Sequence, residues 1–135
     1  MKISTRGRYA LRMMIDLAQQ DTGDWIALRD ISARQGISMK YLEQIVTPLT
    51  SAGLLKSLRG AKGGYRLARP AERYTPGEIL RAIEGSMVPV ACMEDEENAC
   101  PRYACCTTIA FWQGLSNVIN SYLNGTTLAQ LAAGR

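Results

Sequence analysis

The sequence predicts a mainly α-helical fold with a small β-hairpin wing: a winged helix-turn-helix followed by a long C-terminal dimerisation helix. Apolar residues keep helical spacing in one long and two short segments, and the tight turn Gln35-Gly36-Ile37-Ser38 splits the two short ones. Two short runs then flank the glycine-rich turn Gly60-Ala61-Lys62-Gly63-Gly64, which reads as a hairpin. Helical spacing returns near Cys106, after residues 86–105, which lack periodicity.

In chain order, Ser4 or Thr5 caps the first helix, whose buried face carries Tyr9, Ala10, Met13, Leu17 and Ala18. Asp21–Asp24 makes a turn, and Trp25-Ile26 a short extended piece. Leu28–Gln35 forms a short helix with Leu28, Ile31 and Ala33 as its inward candidates and Gly36 as its stop. Ser38 caps the third helix, which carries Tyr41, Leu42, Ile45, Val46 and Leu49. Pro48 lacks an amide donor and predicts a kink or loosened turn near Gln44–Pro48. The helix-turn-helix thus covers about residues 28–51 and the wing about 54–68. Thr75-Pro76-Gly77-Glu78 combines a cap, a first-turn proline and a capping box for a helix that Gly85 stops. Residues 1–85 form the winged domain and 86–105 a cysteine-containing loop. Residues 106–135 hold the dimerisation helix, with the stripe Ile109, Trp112, Leu115 (or Ser116), Ile119, Tyr122 and Leu123, and a last short helix capped by Thr126 or Thr127.

At 135 residues, 47% hydrophobic and 21% charged, the chain can bury a core and is one domain's worth. It contains no histidine, which removes Ser-His-Asp and Cys-His catalysis and any histidine metal ligand. No phosphate loop or paired catalytic carboxylates are present, so an enzyme is not expected. No apolar run reaches the ~18 residues of a membrane span. The arginine-threaded N-terminus is not a secretory signal, and a cytoplasmic location is expected. Residues 1–85 hold 14 Lys/Arg against 8 Asp/Glu, and residues 86–135 hold 2 against 4. The basic excess therefore lies in the winged part and points to a polyanion.

A helix fits the DNA major groove, and its N-terminal residues reach base edges. On the third helix, Met39, Lys40, Glu43 and Gln44 lie opposite the apolar face, with Tyr41 ambiguous between core and groove. Lys40 can meet a phosphate or guanine and Gln44 can pair with adenine. Glu43 can only accept, so it discriminates rather than adheres. At the wing, glycines let the backbone approach phosphate, and Arg59 and Lys62 suit a narrow minor groove. The competing readings are a plain hairpin with solvated cations, or a protein-binding winged helix.

All four cysteines, Cys92, Cys100, Cys105 and Cys106, fall within one 15-residue stretch. Thiolates suit iron–sulfur clusters, and a helix start beside Cys105 and Cys106 favours thiolate. The spacing contains no C-x-x-C knuckle for zinc. A redox switch is a further alternative.

The runs Ser4-Thr5-Arg6-Gly7-Arg8-Tyr9-Ala10, Gly36 to Ile45, Ala52-Gly53-Leu54-Leu55 and Arg59 to Tyr65 carry a specific resemblance, as do Thr107, Trp112, Leu115 and Thr127-Leu128. Over nearly its whole length the chain resembles the IscR/NsrR/CymR-type (Rrf-two family) bacterial regulators. The resemblance implies a homodimer on palindromic double-stranded DNA, joined through the long C-terminal helix. It places Lys40, Tyr41, Glu43 and Arg59 at the DNA, and Cys92, Cys100 and Cys106 as ligands of an iron–sulfur cluster, [2Fe-2S] rather than [4Fe-4S]. The fourth ligand departs from the family: Ile109 stands where one branch has histidine and Arg8 where another has aspartate. Cys105 is the local candidate, with a carboxylate from Glu94–Glu97 as another. The expected function is a regulator sensing cluster or redox status. The alternative is a cluster-free, CymR-type repressor controlled by a protein partner or thiol redox state.

Overall fold

Side-chain caps set most of the helix starts. In the computed structural model, which describes residues 1–95, 97 and 100–134, helix α1 spans Thr5–Gln19, α2 Leu28–Gln35, α3 Met39–Ser51, α4 Pro76–Glu84, α5 Ile109–Asn124 and α6 Leu128–Ala133. Ser4 caps α1, Ser38 caps α3, and Thr75 and Thr127 open full capping boxes with Glu78 and Gln130. Strands β1 (Leu55–Leu58) and β2 (Gly64–Leu67) pair antiparallel, with Leu55 opposite Leu67 and Leu58 opposite Gly64. The extended piece before α2 adds one bridge, Ile26 to Tyr65.

The core lies where α1, α3 and α4 meet beneath the hairpin. Ala10, Met13, Met14 and Leu17 of α1 pack with Ile31, Leu42, Ile45, Leu49, Ile79 and Leu128. Asp16 is buried among them, and Arg34 and Gln35 neutralise it by donating to its carboxylate, at 2.8 Å from Arg34 Nη2 and 2.9 Å from Gln35 Nε2. That ion pair ties α1 to the end of α2, and so fixes the turn before α3.

Three expectations change. Ala33 is exposed; Ile37, in the turn, is buried instead. Helix α3 contains Pro48 within its span, and its buried face continues on both sides of it, from Ile45 to Leu49. Helix α5 begins at Ile109 and not at Cys106, because Cys106 has extended backbone after a separate turn at Tyr103–Cys105. The expected α5 stripe also divides. Ile109, Trp112, Ile119 and Leu123 are half-buried around buried Ser116, while Phe111 (66% exposed), Leu115 (37%), Val118 (67%) and Tyr122 (79%) form a second, outward stripe. No helix among the described residues is long and apolar enough to cross a membrane.

Candidate nucleic-acid interface and cysteine loop

Burial of Leu42, Ile45, Val46 and Leu49 turns one face of α3 inward and leaves Met39, Lys40, Glu43 and Gln44 exposed on the other. The Ser38 hydroxyl accepts from the Tyr41 amide at 3.2 Å and fixes where that face begins. Tyr41 is half-buried and meets the Tyr9 ring edge-on at 5.2 Å, so part of it serves packing. Arg59 and Lys62 stand exposed at the hairpin turn.

Two close backbone approaches hold the wing beside α3. The Gly63 α-carbon lies against the Leu58 carbonyl and that of Gly64 against the Ile26 carbonyl, so a Cβ at either would collide with backbone. Ile26 and Tyr65 exchange hydrogen bonds at 2.8 and 2.9 Å. Wing and helix thereby enclose an open cleft of about 370 Å³, lined by Arg29, Met39, Glu43 and the glycines of the turn. Met39 and Glu43 of α3, Arg29 of α2 and the glycines of the wing turn thus line one groove, while Lys40, Gln44, Arg59 and Lys62 are exposed on the elements that flank it.

Arg29 was missed from sequence. It sits in the first turn of α2, and only the folded hairpin brings it into the same cleft as Glu43. The sequence assigns neither Arg8 nor Arg12 a place at the DNA. The Arg12 guanidinium lies 5.3 Å over the Tyr9 ring, beside Tyr41, and donates to Oε1 and the carbonyl of Gln35. The basic side of α1 therefore adjoins the start of α3.

In the loop, Cys92 (in the turn Ala91–Met93), Cys100 and Cys105 are exposed and Cys106 is half-buried. The Cys105 thiol lies 3.5 Å from the Arg102 carbonyl. Cys106 Sγ lies 3.3 Å from Thr108 Oγ1. Hydrogen bonds from the Thr108 hydroxyl and amide, against a burial cost, lower the Cys106 thiol below its ordinary pKa; the Ile109 amide and the Arg102 charge add to this. A cluster needs three or four ligands converging on one centre. Among the described residues no three cysteine or carboxylate side chains do so, and Cys92, Cys100 and Cys106 are not gathered as ligands. Glu96, part of the candidate acidic run, and Arg135 lie outside the described residues. In this arrangement the described residues do not fit a cluster.

Residues 3–134 match the family profile described as "Rrf2: Iron-dependent Transcriptional regulator". The protein named rrf2 of Nitratidesulfovibrio vulgaris is 43% identical over 132 residues, covering 97% of this chain and 87% of that one. The transcriptional regulator IscR of Vibrio campbellii is 39% identical, covering 97% and 77%. The solved structure of CymR, described as the global cysteine regulator of Bacillus subtilis, superposes with a TM-score of 0.79 at 41% identity, covering 98% and 97%.

Proposed function

The chain belongs to the Rrf2 family of transcriptional regulators, and from that premise we propose that it binds palindromic double-stranded DNA as a homodimer in the cytoplasm. One observation carries the DNA reading: α3 and the glycine turn of the wing flank one open cleft, Lys40, Glu43, Gln44, Arg59 and Lys62 are exposed on those two elements, and the opposite face of α3 is core. On DNA docked against these elements, Lys40 and Lys62 meet phosphates, Glu43 and Gln44 face base edges, Tyr41 supports the helix start, and Arg59 enters the minor groove. The outward stripe on α5 supplies the dimer surface, because contiguous exposed apolar residues mark interaction sites. A twofold arrangement puts the two reading heads ~34 Å apart, one turn of DNA.

The loop between α4 and α5 receives the signal in this reading, since it joins the DNA-binding domain to the dimer helix and carries every cysteine of the chain. Cluster sensing through Cys92, Cys100 and Cys106, with Cys105 as fourth ligand and a [2Fe-2S] core, requires those residues to gather first. The cluster-free reading, thiol chemistry or a protein partner, is supported by the lowered thiol of Cys106, its Sγ 3.3 Å from Thr108 Oγ1, with no three ligand side chains gathered among the described residues. Iron and acid-labile sulfide measured on anaerobically purified protein separate the two. Iron that Cys92→Ala, Cys100→Ala or Cys106→Ala abolishes selects the first; absence of iron selects the second.

Fluorescence anisotropy on operator-length duplexes tests the DNA reading. Arg59→Ala should weaken binding most at narrow A/T-rich minor grooves and reduce the salt slope by about one. Glu43→Ala should broaden sequence tolerance. Unchanged affinity and site preference in both variants would contradict the assignment of this groove.

A further inference from the structure

Among the described residues, α5 packs chiefly on α4, so one seam sets the direction in which its outward stripe points. The seam has a polar clasp. Arg81, in the last turn of α4, donates from Nη2 to Asn120 Oδ1 at 2.8 Å and from Nη1 to Asn124 Oδ1 at 3.1 Å. The two acceptors stand one helical turn apart on α5, and a planar guanidinium that holds both fixes an orientation as well as a distance. One turn earlier, buried Gly77 lets the helices approach. A Cβ there would run into Asn124 Oδ1 and lie 3.3 Å from the Leu123 Cβ. On its other side α4 is anchored in the core by buried Ile79, with Ala82 and Ile83 packed beside it, so the clasp refers the angle of α5 to the domain that carries α3 and the wing.

We propose that Arg81, through Asn120 and Asn124, is a positioning residue that sets the angle of α5 on α4, and with it the half-site spacing the protein accepts. The inference rests on the homodimeric DNA-binding reading above. Leverage explains why one side chain suffices. Each head lies ~17 Å from the twofold axis, so a swing of about 10° moves it by about 3 Å and the two heads relative to each other by up to about 6 Å, more than one base-pair step of ~3.4 Å. A clasp that removes that swing converts dimer geometry into spacing selectivity.

The test uses the full chain and duplexes with identical half-sites, whose spacers run from two base pairs shorter to two longer than the best one. Wild type should favour one spacer about tenfold over its neighbours. Arg81→Ala and Asn120→Ala should each reduce that preference to about threefold or less, with half-site sequence preference intact and the dimer retained by light scattering. Asn120→Ala keeps the cation, which separates positioning from a direct phosphate contact. An unchanged spacer profile in Asn120→Ala would overturn the proposal. So would a uniform affinity loss confined to Arg81→Ala, or loss of the dimer in both variants. Failure of the wild type to bind any spacer would instead overturn the DNA-binding reading on which this one stands.

Discussion

Tyr74 is fully buried, and its hydroxyl joins three chain segments. It donates to the Leu54 carbonyl at 2.7 Å and accepts from the amides of Ala68 at 2.9 Å and Arg69 at 3.3 Å. Tyr74→Phe leaves these groups short of a partner and should cost about 1–3 kcal/mol, read from denaturant midpoints. Burial pushes the Tyr74 phenol above its ordinary pKa of 10.0. The folded state therefore keeps it neutral while the unfolded chain ionises. Its contribution is complete below pH ~10 and lost as pH rises through the folded value. Alkaline titration of stability should be shallower in Tyr74→Phe than in wild type; an equal slope would contradict this. At Cys106, Thr108→Val removes the leading hydrogen bond and should raise the thiol pKa, slowing alkylation at neutral pH. An unchanged rate would show that the hydroxyl does not hold the thiolate. Nothing in the sequence around Tyr74 announced its role, which depends on the wing's exit strand folding back over it. Lys40, Glu43, Gln44, Arg59 and Lys62 were legible as an exposed set because helical periodicity and turn chemistry are local. Arg29 was not, because its neighbours come from α3 and the wing.

At the scale of elements, local signals proved reliable where the physics is local. Ser4, Ser38, Thr75 and Thr127 cap because a hydroxyl reaches an amide two or three residues ahead. The start of α5 and its facing were harder. Period alone groups residues into stripes, and α5 has two apolar stripes; only tertiary packing chooses which one meets the chain's own domain. The wing provides the test at this scale. Gly64→Ala sets a Cβ against the Ile26 carbonyl and must push β2 away from the segment leading into α2. DNA affinity should fall about tenfold or more while helical content by circular dichroism stays near wild type. Retained affinity would mean the wing's position does not matter for binding.

For the whole molecule, the division of charge matches the division of labour. The basic excess lies in residues 1–85, which hold the groove, and the segment that follows carries the exposed α5 stripe instead. Val118 stands in that stripe at 67% exposure, so Val118→Asp places a charge in the proposed dimer face without disturbing the core. It should yield a monomer by light scattering with helical content by circular dichroism near wild type. Sedimentation of the wild-type chain on a palindromic duplex and on a single half-site then tests DNA recognition by paired subunits most directly. Two chains per palindrome, with the half-site bound at least about tenfold more weakly, is the predicted result. One chain per duplex with equal affinity for both, or no complex even at low salt, would contradict it.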